Sequence, residues 1–231
     1  MAEMTIPVEP MIPAASSHDR ILAAAKRLFA SQGYEATSTM AIARLAGTSE
    51  SQMMKHFGSK EGLLEAILDQ GWKSMAPALR DVISMPDGNP KLLAMLDLVL
   101  KTLNEDADLK ELFLLEGRRI RREGRHVVLS PGYIEFVRLV DGVLANMKNA
   151  GMLRPEVSPN AVRSAIMGMT EGMLRDQILS RRRGEFPAEY TDEDFRMLFS
   201  ACLQGATAKV TKPAPPRAKA KAQPRAKSRK R

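Results

Sequence analysis

Residues Ser38–Phe57 read STMAIARLAGTSESQMMKHF. Ile42, Ala43, Leu45 and Ala46 recur at spacings that give Thr39–Ala46 one apolar side, which predicts a short helix. Gly47 follows where that helix must stop and the chain must turn, because glycine tolerates the positive φ such a stop often needs. Ser49 is placed to cap a second helix, and Gln52 three positions on completes a capping-box pattern. In this second helix Met53 and Phe57 lie four apart and share a face, so they are expected to be its buried pair. Glu50, Ser51, Gln52, Met54, Lys55 and His56 are left outward. A short helix with hydrogen-bonding side chains on its N-terminal outer face is what the major groove of DNA admits.

The flanking residues supply a frame for this pair. Ser16 or Ser17 caps an upstream helix, with Asp19 in its first turn, where the helix dipole favours an anion. Ile21, Leu22, Ala25, Leu28 and Phe29 form that helix's buried face, and Gly33 ends it. Ser38 is placed to cap the next helix and can also bond a DNA phosphate; the two roles are compatible. Ser59 caps a fourth helix with Lys60 in its first turn. The dipole disfavours a cation there, so an external anion is a sensible compensation. Leu63, Leu64, Ile67 and Leu68 form its inner face. The helix is expected to continue past Gly71 and Trp72 towards Pro77, with Trp72 read as packing rather than ligand recognition.

With ILAAAKRLF at 21–29, Gly33-Tyr34, Ile42-Ala43, Ala46-Gly47 and Phe57-Gly58-Ser59-Lys60, this region resembles the DNA-binding domain of the TetR family of transcriptional regulators. The likeness covers about the first third of the chain. It departs from the family at Met54, where a phosphate-contacting tyrosine is usual, and at Ser51, where glycine is frequent. The family's tyrosine contact therefore has no counterpart at Met54. The resemblance implies an all-α fold, with an N-terminal helix-turn-helix domain followed by a helical bundle that dimerises and binds an effector. It implies double-stranded DNA as partner, a homodimer, and a repressor released by a small molecule. The residues expected to meet DNA are Ser38, Thr39, Ser49, Glu50, Ser51, Gln52, Met54, Lys55, His56 and Lys60. Gln52 can bond adenine in bidentate fashion, Lys55 can reach guanine or phosphate, Ser51 either, and Met54 a thymine methyl. Gln52 cannot close a capping box and read a base together. His56 reads equally as a phosphate contact or a structural hydrogen bond.

From Pro86 to Val210 the pattern is helix after helix with no convincing strand. Stripes fall at Leu92, Leu96, Val99 and Leu103, at Leu109, Leu112, Phe113 and Ile120, and at Ile134, Val137, Val140, Leu144 and Met147, the last ended by Gly151. Ser158-Pro159 opens another helix, and Thr191 with Asp194 opens the last. Ala161, Ala165, Gly168 and Gly172 lay a small-residue seam along one of these helices; Ala201, Gly205 and Ala208 do the same on the other. These are the expected dimer interface, against the alternative of close packing within one chain. An effector pocket is expected among Met95, Val99, Phe113, Gly117, Val137, Met169 and Met173, positions that also read as plain core. Arg181-Arg182-Arg183-Gly184 and Pro187 read as a loop. Arg118, Arg119, Arg121, Arg122 and Arg125 form a second basic cluster. Ion pairs or a solvated face are the favoured reading of both, with an anionic effector on Arg118 or Arg122 the lesser one.

The net charge of +8 over 231 residues is unevenly spread. Ten of the 35 basic side chains lie from Lys209 onward with no acid among them, leaving residues 1–208 with 25 basic and 27 acidic groups, a net of −2. The tail can release condensed counterions from DNA without selecting sequence, or act as a solubilising extension. The expected organisation is a disordered segment 1–16, a DNA-binding domain 17–77, a helical body 78–208 and a disordered basic tail 209–231. Cys202, the single cysteine, excludes an intramolecular disulfide and reads as a small buried hydrophobe. No leader or membrane span is expected, which places the chain in the cytoplasm. Three histidines, no metal-ligand spacing, no phosphate loop and no nucleophile motif argue against an enzyme and against a cofactor or metal. The competing reading is an architectural or nucleoid-associated protein dominated by its tail.

Overall fold

Polar caps set most of the helix starts. Ser16 accepts a bond from the Asp19 N–H at 3.1 Å and opens α1 (Ser17–Gln32). Ser38 does the same for α2 (Thr39–Leu45), Ser49 for α3 (Glu50–Phe57) and Ser59 for α4 (Lys60–Ser74), at 3.1, 3.2 and 2.9 Å. Each bond satisfies one of the backbone donors that a helix start leaves orphaned. Met75 joins α4 to α5 (Ala76–Ser84), whose first turn holds Pro77. Next come α6 (Asn89–Glu105), α7 (Ala107–Phe113), α8 (Pro131–Asn149), α9 (Pro159–Arg183) and α10 (Asp192–Ala206). At α10 the reciprocal box is complete: the Asp194 N–H bonds Thr191 Oγ1 at 3.2 Å, and the Thr191 N–H bonds the Asp194 carboxylate at 2.8 Å.

This computed structural model describes residues 16–116, 127, 129–183 and 188–208. Among the described residues there are ten helices and no sheet, with one lone bridge between Leu153 and Thr207. The fold is all-α. Among the described residues no helix is long and apolar enough to cross a membrane. The expectations for residues 1–15, for Gly117, for Ile120, for the Arg118–Arg125 cluster, for Gly184 and Pro187 and for the tail from Lys209 fall outside the described residues.

Helices α1 to α4 close on a small core of Ile21, Phe29, Ile42, Met53 and Leu63, each almost wholly buried. Met53 is sealed at 0% exposure and Phe57 is half-buried, so the pair anchors α3 as its spacing suggests. Helix α4 then leaves the head and runs between α7 and α8 in the body. The crossing with α8 is very close: a Cβ added to Gly132 would lie 2.4 Å from the Trp72 Cβ. The Gly132 N–H also bonds the Asp69 carboxylate at 2.8 Å. Head and body are tied again through α1. Lys26 pairs with Asp106 at 2.5 Å, and Arg182 bonds both Glu111, at 2.8 Å, and the Ala30 carbonyl, at 3.0 Å.

Four details depart from the periodic reading. Leu45 is exposed, not part of α2's inner side, because Ile42, Ala43 and Ala46 already fill the narrow contact with α1. The inward stripe of α8 is Phe136, Val140, Val143, Leu144 and Met147, which leaves Ile134 and Val137 half-buried at its margin. Arg181 to Arg183 lie on the last turn of α9 rather than in a loop. Helix α5 buries no residue, although Leu79, Val82 and Ile83 share one side of it.

Candidate functional site

The outer face of α3 is the first candidate. Ser51, Gln52, Met54 and Lys55 stand exposed along it, beyond the buried Met53. The capping box forms only in part. Ser49 accepts from the Gln52 N–H at 3.2 Å, while the Gln52 side chain is exposed. The conflict between capping and base reading is thereby removed. Glu50 is held from the side: Thr39 Oγ1 on α2 donates to its carboxylate. Two of the expected DNA-facing residues are thus bonded to each other, which fixes α2 against the start of α3. At the other end of α3, His56 Nε2 lies 3.1 Å from Ser17 Oγ, and His18 stacks on Phe57 with ring centroids 4.9 Å apart. His56 therefore has the structural partner that one of its two readings required.

Lys60 finds compensation inside the head. Its ammonium lies 4.4 Å from the centroid of the Tyr34 ring and 3.5 Å from the Glu35 carbonyl. Ser38 and Ser49 are exposed caps, and Thr39 is half-buried. Met40, Leu45 and Arg44 are exposed on α2 beside this face. The sequence pattern did not single them out as surface groups, since only the packed register of α2 shows which side is covered.

The second candidate is a cavity of about 90 Å³ in the body, between α4, α6, α7, α8, α9 and α10. Of the expected pocket residues, Met95, Val99 and Phe113 line it. Val137, Met169 and Met173 do not: α8 brings in Tyr133, Phe136 and Val140, and α9 brings in Ile166, Met167, Thr170 and Glu171. The expected residues belong to neighbouring positions on the same helices, a register that side-chain type alone does not fix. Trp72, read from sequence as packing, is on the cavity wall. It packs against Phe113, Tyr133 and Phe136 at centroid distances of 5.5, 5.6 and 4.9 Å.

A carboxyl group sits against this aromatic cluster. Glu116 accepts from the Ser130 N–H at 2.7 Å, from Ser130 Oγ at 3.0 Å and from the indole N–H of Trp72 at 3.3 Å. Burial pushes its carboxyl above the ordinary carboxylate range, against the pull of those bonds. Burial, together with the nearby Glu116, likewise pushes the Tyr133 phenol up.

Ala161, Ala165, Gly168 and Gly172 lie along α9 and Ala201 and Gly205 along α10, but Ala208, expected on the second seam, falls past the end of α10, where its N–H bonds the Met152 carbonyl at 2.8 Å. Ala161, Ala165, Gly168, Ala201 and Gly205 are exposed, while Gly172 and Ala208 are half-buried. A Cβ added at Gly168, Gly172 or Gly205 would meet nothing within 4 Å. Among the described residues, nothing uses the close packing that Gly168, Gly172 and Gly205 allow. Leu179, Met197 and Leu198 on the same two helices are exposed as well.

Comparison with known proteins agrees with this architecture. Residues 21–67 match the family model described as bacterial regulatory proteins, tetR family. Over 54 residues, 23% of this chain, the sequence is 44% identical to YvkB of Bacillus subtilis, an uncharacterized HTH-type transcriptional regulator; the match covers 29% of that protein. It is 22% identical over 158 residues to the HTH-type transcriptional regulator UidR of Escherichia coli K12, covering 68% of this chain and 79% of UidR. A TetR-family regulator from Shewanella sp. PV-4 superposes with a TM-score of 0.64 at 19% identity, over 84% of this chain and 100% of that one. Residues 21–67 thus carry the head of the tetR-family model, and the head with the helical body behind it shares the fold of a TetR-family structure.

Proposed function

We propose that this regulator acts as a homodimeric repressor that reads an inverted-repeat DNA operator through α3 and is released by a small molecule bound in the body. The observation that carries the reading is the arrangement of α3: Met53 is sealed in the head while Ser51, Gln52, Met54 and Lys55 are exposed together. A rigid short helix with one buried anchor row and one polar outer row can enter a major groove. Gln52, Lys55 and Ser51 take the base-reading roles. The caps Ser38 and Ser49, with Thr39, Glu50, His56 and Lys60, border the phosphates. The domain division at 77/78 and a cytoplasmic setting belong to the same proposal.

The exposed seams of α9 and α10 support pairing with a second copy, in which four helices meet with backbones close enough to need glycine and alanine. A twofold dimer prefers an inverted repeat, with half-sites about 34–36 Å apart. Release requires a ligand that binds the two arrangements of the heads unequally. Helix α4 is suited to carry that difference. Lys60 begins it beside the DNA face, and Trp72 meets the cavity twelve residues, or about 18 Å, further along the same helix. The ties from α7 and α9 to α1 offer a second route.

Selection of bound sequences from a random DNA pool tests the reading. The full chain and a chain ending at Ala208 should both enrich one inverted repeat. Enrichment that disappears with the tail, or no enrichment at all, would favour the architectural alternative.

A further inference from the structure

We propose that Lys26 and Arg182 are positioning residues: they clamp α1 to the body and so set the half-site spacing that the dimer accepts. This inference rests on the reading of the chain as a dimer on an inverted repeat, and adds what fixes the distance between its heads. Both ties grip one side of α1, because Lys26 and Ala30 lie four apart on that helix. Lys26 Nζ pairs with Asp106 Oδ2 at 2.5 Å. A single Arg182 nitrogen, Nη2, donates to the Ala30 carbonyl at 3.0 Å and to Glu111 at 2.8 Å. Asp106 is itself held, since its other oxygen accepts the Leu109 N–H at 2.9 Å as the cap of α7. Helix α7 is in turn set tightly on α4: a Cβ added at Gly71 would stand 2.7 Å from Leu109 Cδ2. The two helices that carry the head into the body, α1 and α4, thus meet one short body helix.

The far end of α1 holds the recognition helix. Ser17 Oγ lies 3.1 Å from His56 Nε2, and His18 stacks on Phe57 at the end of α3. Thirteen residues separate Ser17 from Ala30, about 20 Å of helix. A tilt of about 5° at the clamp carries the α3 end through about 1.7 Å over that length. Two heads tilting in opposite senses change their separation by about 3.4 Å, one base-pair step. A connection through α4 alone would leave the head free to turn about one helix axis; the clamp on α1 supplies the second point that stops the turn. Both ion pairs are partly exposed, so they add little to stability. Their effect is on angle, because a shift of about 1 Å takes these contacts out of hydrogen-bonding range.

The test measures the whole chain by fluorescence anisotropy on the selected operator and on copies with one base pair added or removed between the half-sites. The parent should lose about tenfold or more on either altered spacing, the cost of one bidentate contact out of register. Lys26→Met combined with Arg182→Met keeps apolar stems and removes both charged ends. This double variant should keep the half-site sequence, while its loss on the altered spacings shrinks below about threefold. Its thermal midpoint should stay within about 4 °C of the parent's. Lys26→Arg combined with Arg182→Lys retains the donors and should keep the parent's discrimination. If the first double variant does not fold, each of its single changes should relax the discrimination in part. Undiminished discrimination in the folded variants would overturn the clamp and leave the inverted-repeat reading standing. Loss of the half-site sequence itself would also overturn it, because the two residues would then be holding the head's own fold. A parent that selects no inverted repeat would remove the dimer reading, and the clamp with it.

Discussion

Replacing Gly62 with alanine puts the seating of the recognition helix under direct load. Gly62 lies in the first turn of α4, and a Cβ there would stand 2.2 Å from the Phe57 carbonyl oxygen at the end of α3. An ordinary contact between carbon and a carbonyl oxygen is about 3.3–3.6 Å, so roughly 1 Å must be opened between the two helices. The carbonyl cannot simply swing away, because it accepts the Ser59 N–H at 2.8 Å. Alanine in place of helical glycine is worth up to ~1 kcal/mol, and overpacking costs ~1–3 kcal/mol, so the clash wins. A net loss of about 1–2 kcal/mol lowers the unfolding midpoint of a chain this size by roughly 2–8 °C. The displacement falls on α3, so binding to the selected operator, read by fluorescence anisotropy, should also drop by about tenfold, the cost of one spoiled bidentate contact. Gly142→Ala on α8 is the control. A Cβ there meets nothing within 4 Å, and the change should be neutral or stabilising. If Gly62→Ala matched that control in both midpoint and operator affinity, the tight α3–α4 junction would not govern the position of α3.

Three further outcomes follow from the same structure. Lys60→Met keeps an apolar stem over Tyr34 but removes the charge; affinity for operator and random DNA should fall together, and the slope of log K against log salt should shrink by about one. Changing Ala165 and Ala201 together to glutamate puts charge on both exposed seams. Light scattering should then report a monomer, whereas a mass of two chains would reject this face as the interface. Glu116 carries a raised folded carboxyl, so the folded state holds more protons than the unfolded chain. Its contribution to stability is full below the ordinary glutamate range and is lost as pH rises through the folded value. Urea midpoints of Glu116→Gln should therefore gain on those of the parent as pH rises from the ordinary glutamate range through the raised folded value, and a gap independent of pH would contradict the burial of this carboxyl.

How far the sequence foretold the structure depends on the range of each interaction. Caps were legible because a serine and the N–H three residues on meet by local geometry alone, as at Ser38, Ser49 and Ser59. Buried anchors such as Met53, Leu63 and Leu68 were legible through periodicity. Exposure of the α9 and α10 seams was legible only as an unusual run of small residues. What escaped depends on distant partners. Glu116 gains its role from Trp72, 44 positions away, and His56 meets Ser17 across 39 positions. The cavity register on α8 and α9 depends on which of several equally apolar positions faces inward, and Gly62 and Gly132 become critical only once two helices cross on top of them.

The most direct test of the account compares Gln52→Ala with the parent chain on the selected operator, on single-base variants of it, and on random DNA. The account predicts a loss of ~1–3 kcal/mol on the operator, relaxed preference at one position of each half-site, and unchanged affinity for random DNA. An equal loss on operator and random DNA would contradict it, because α3 would then be holding the backbone rather than reading bases.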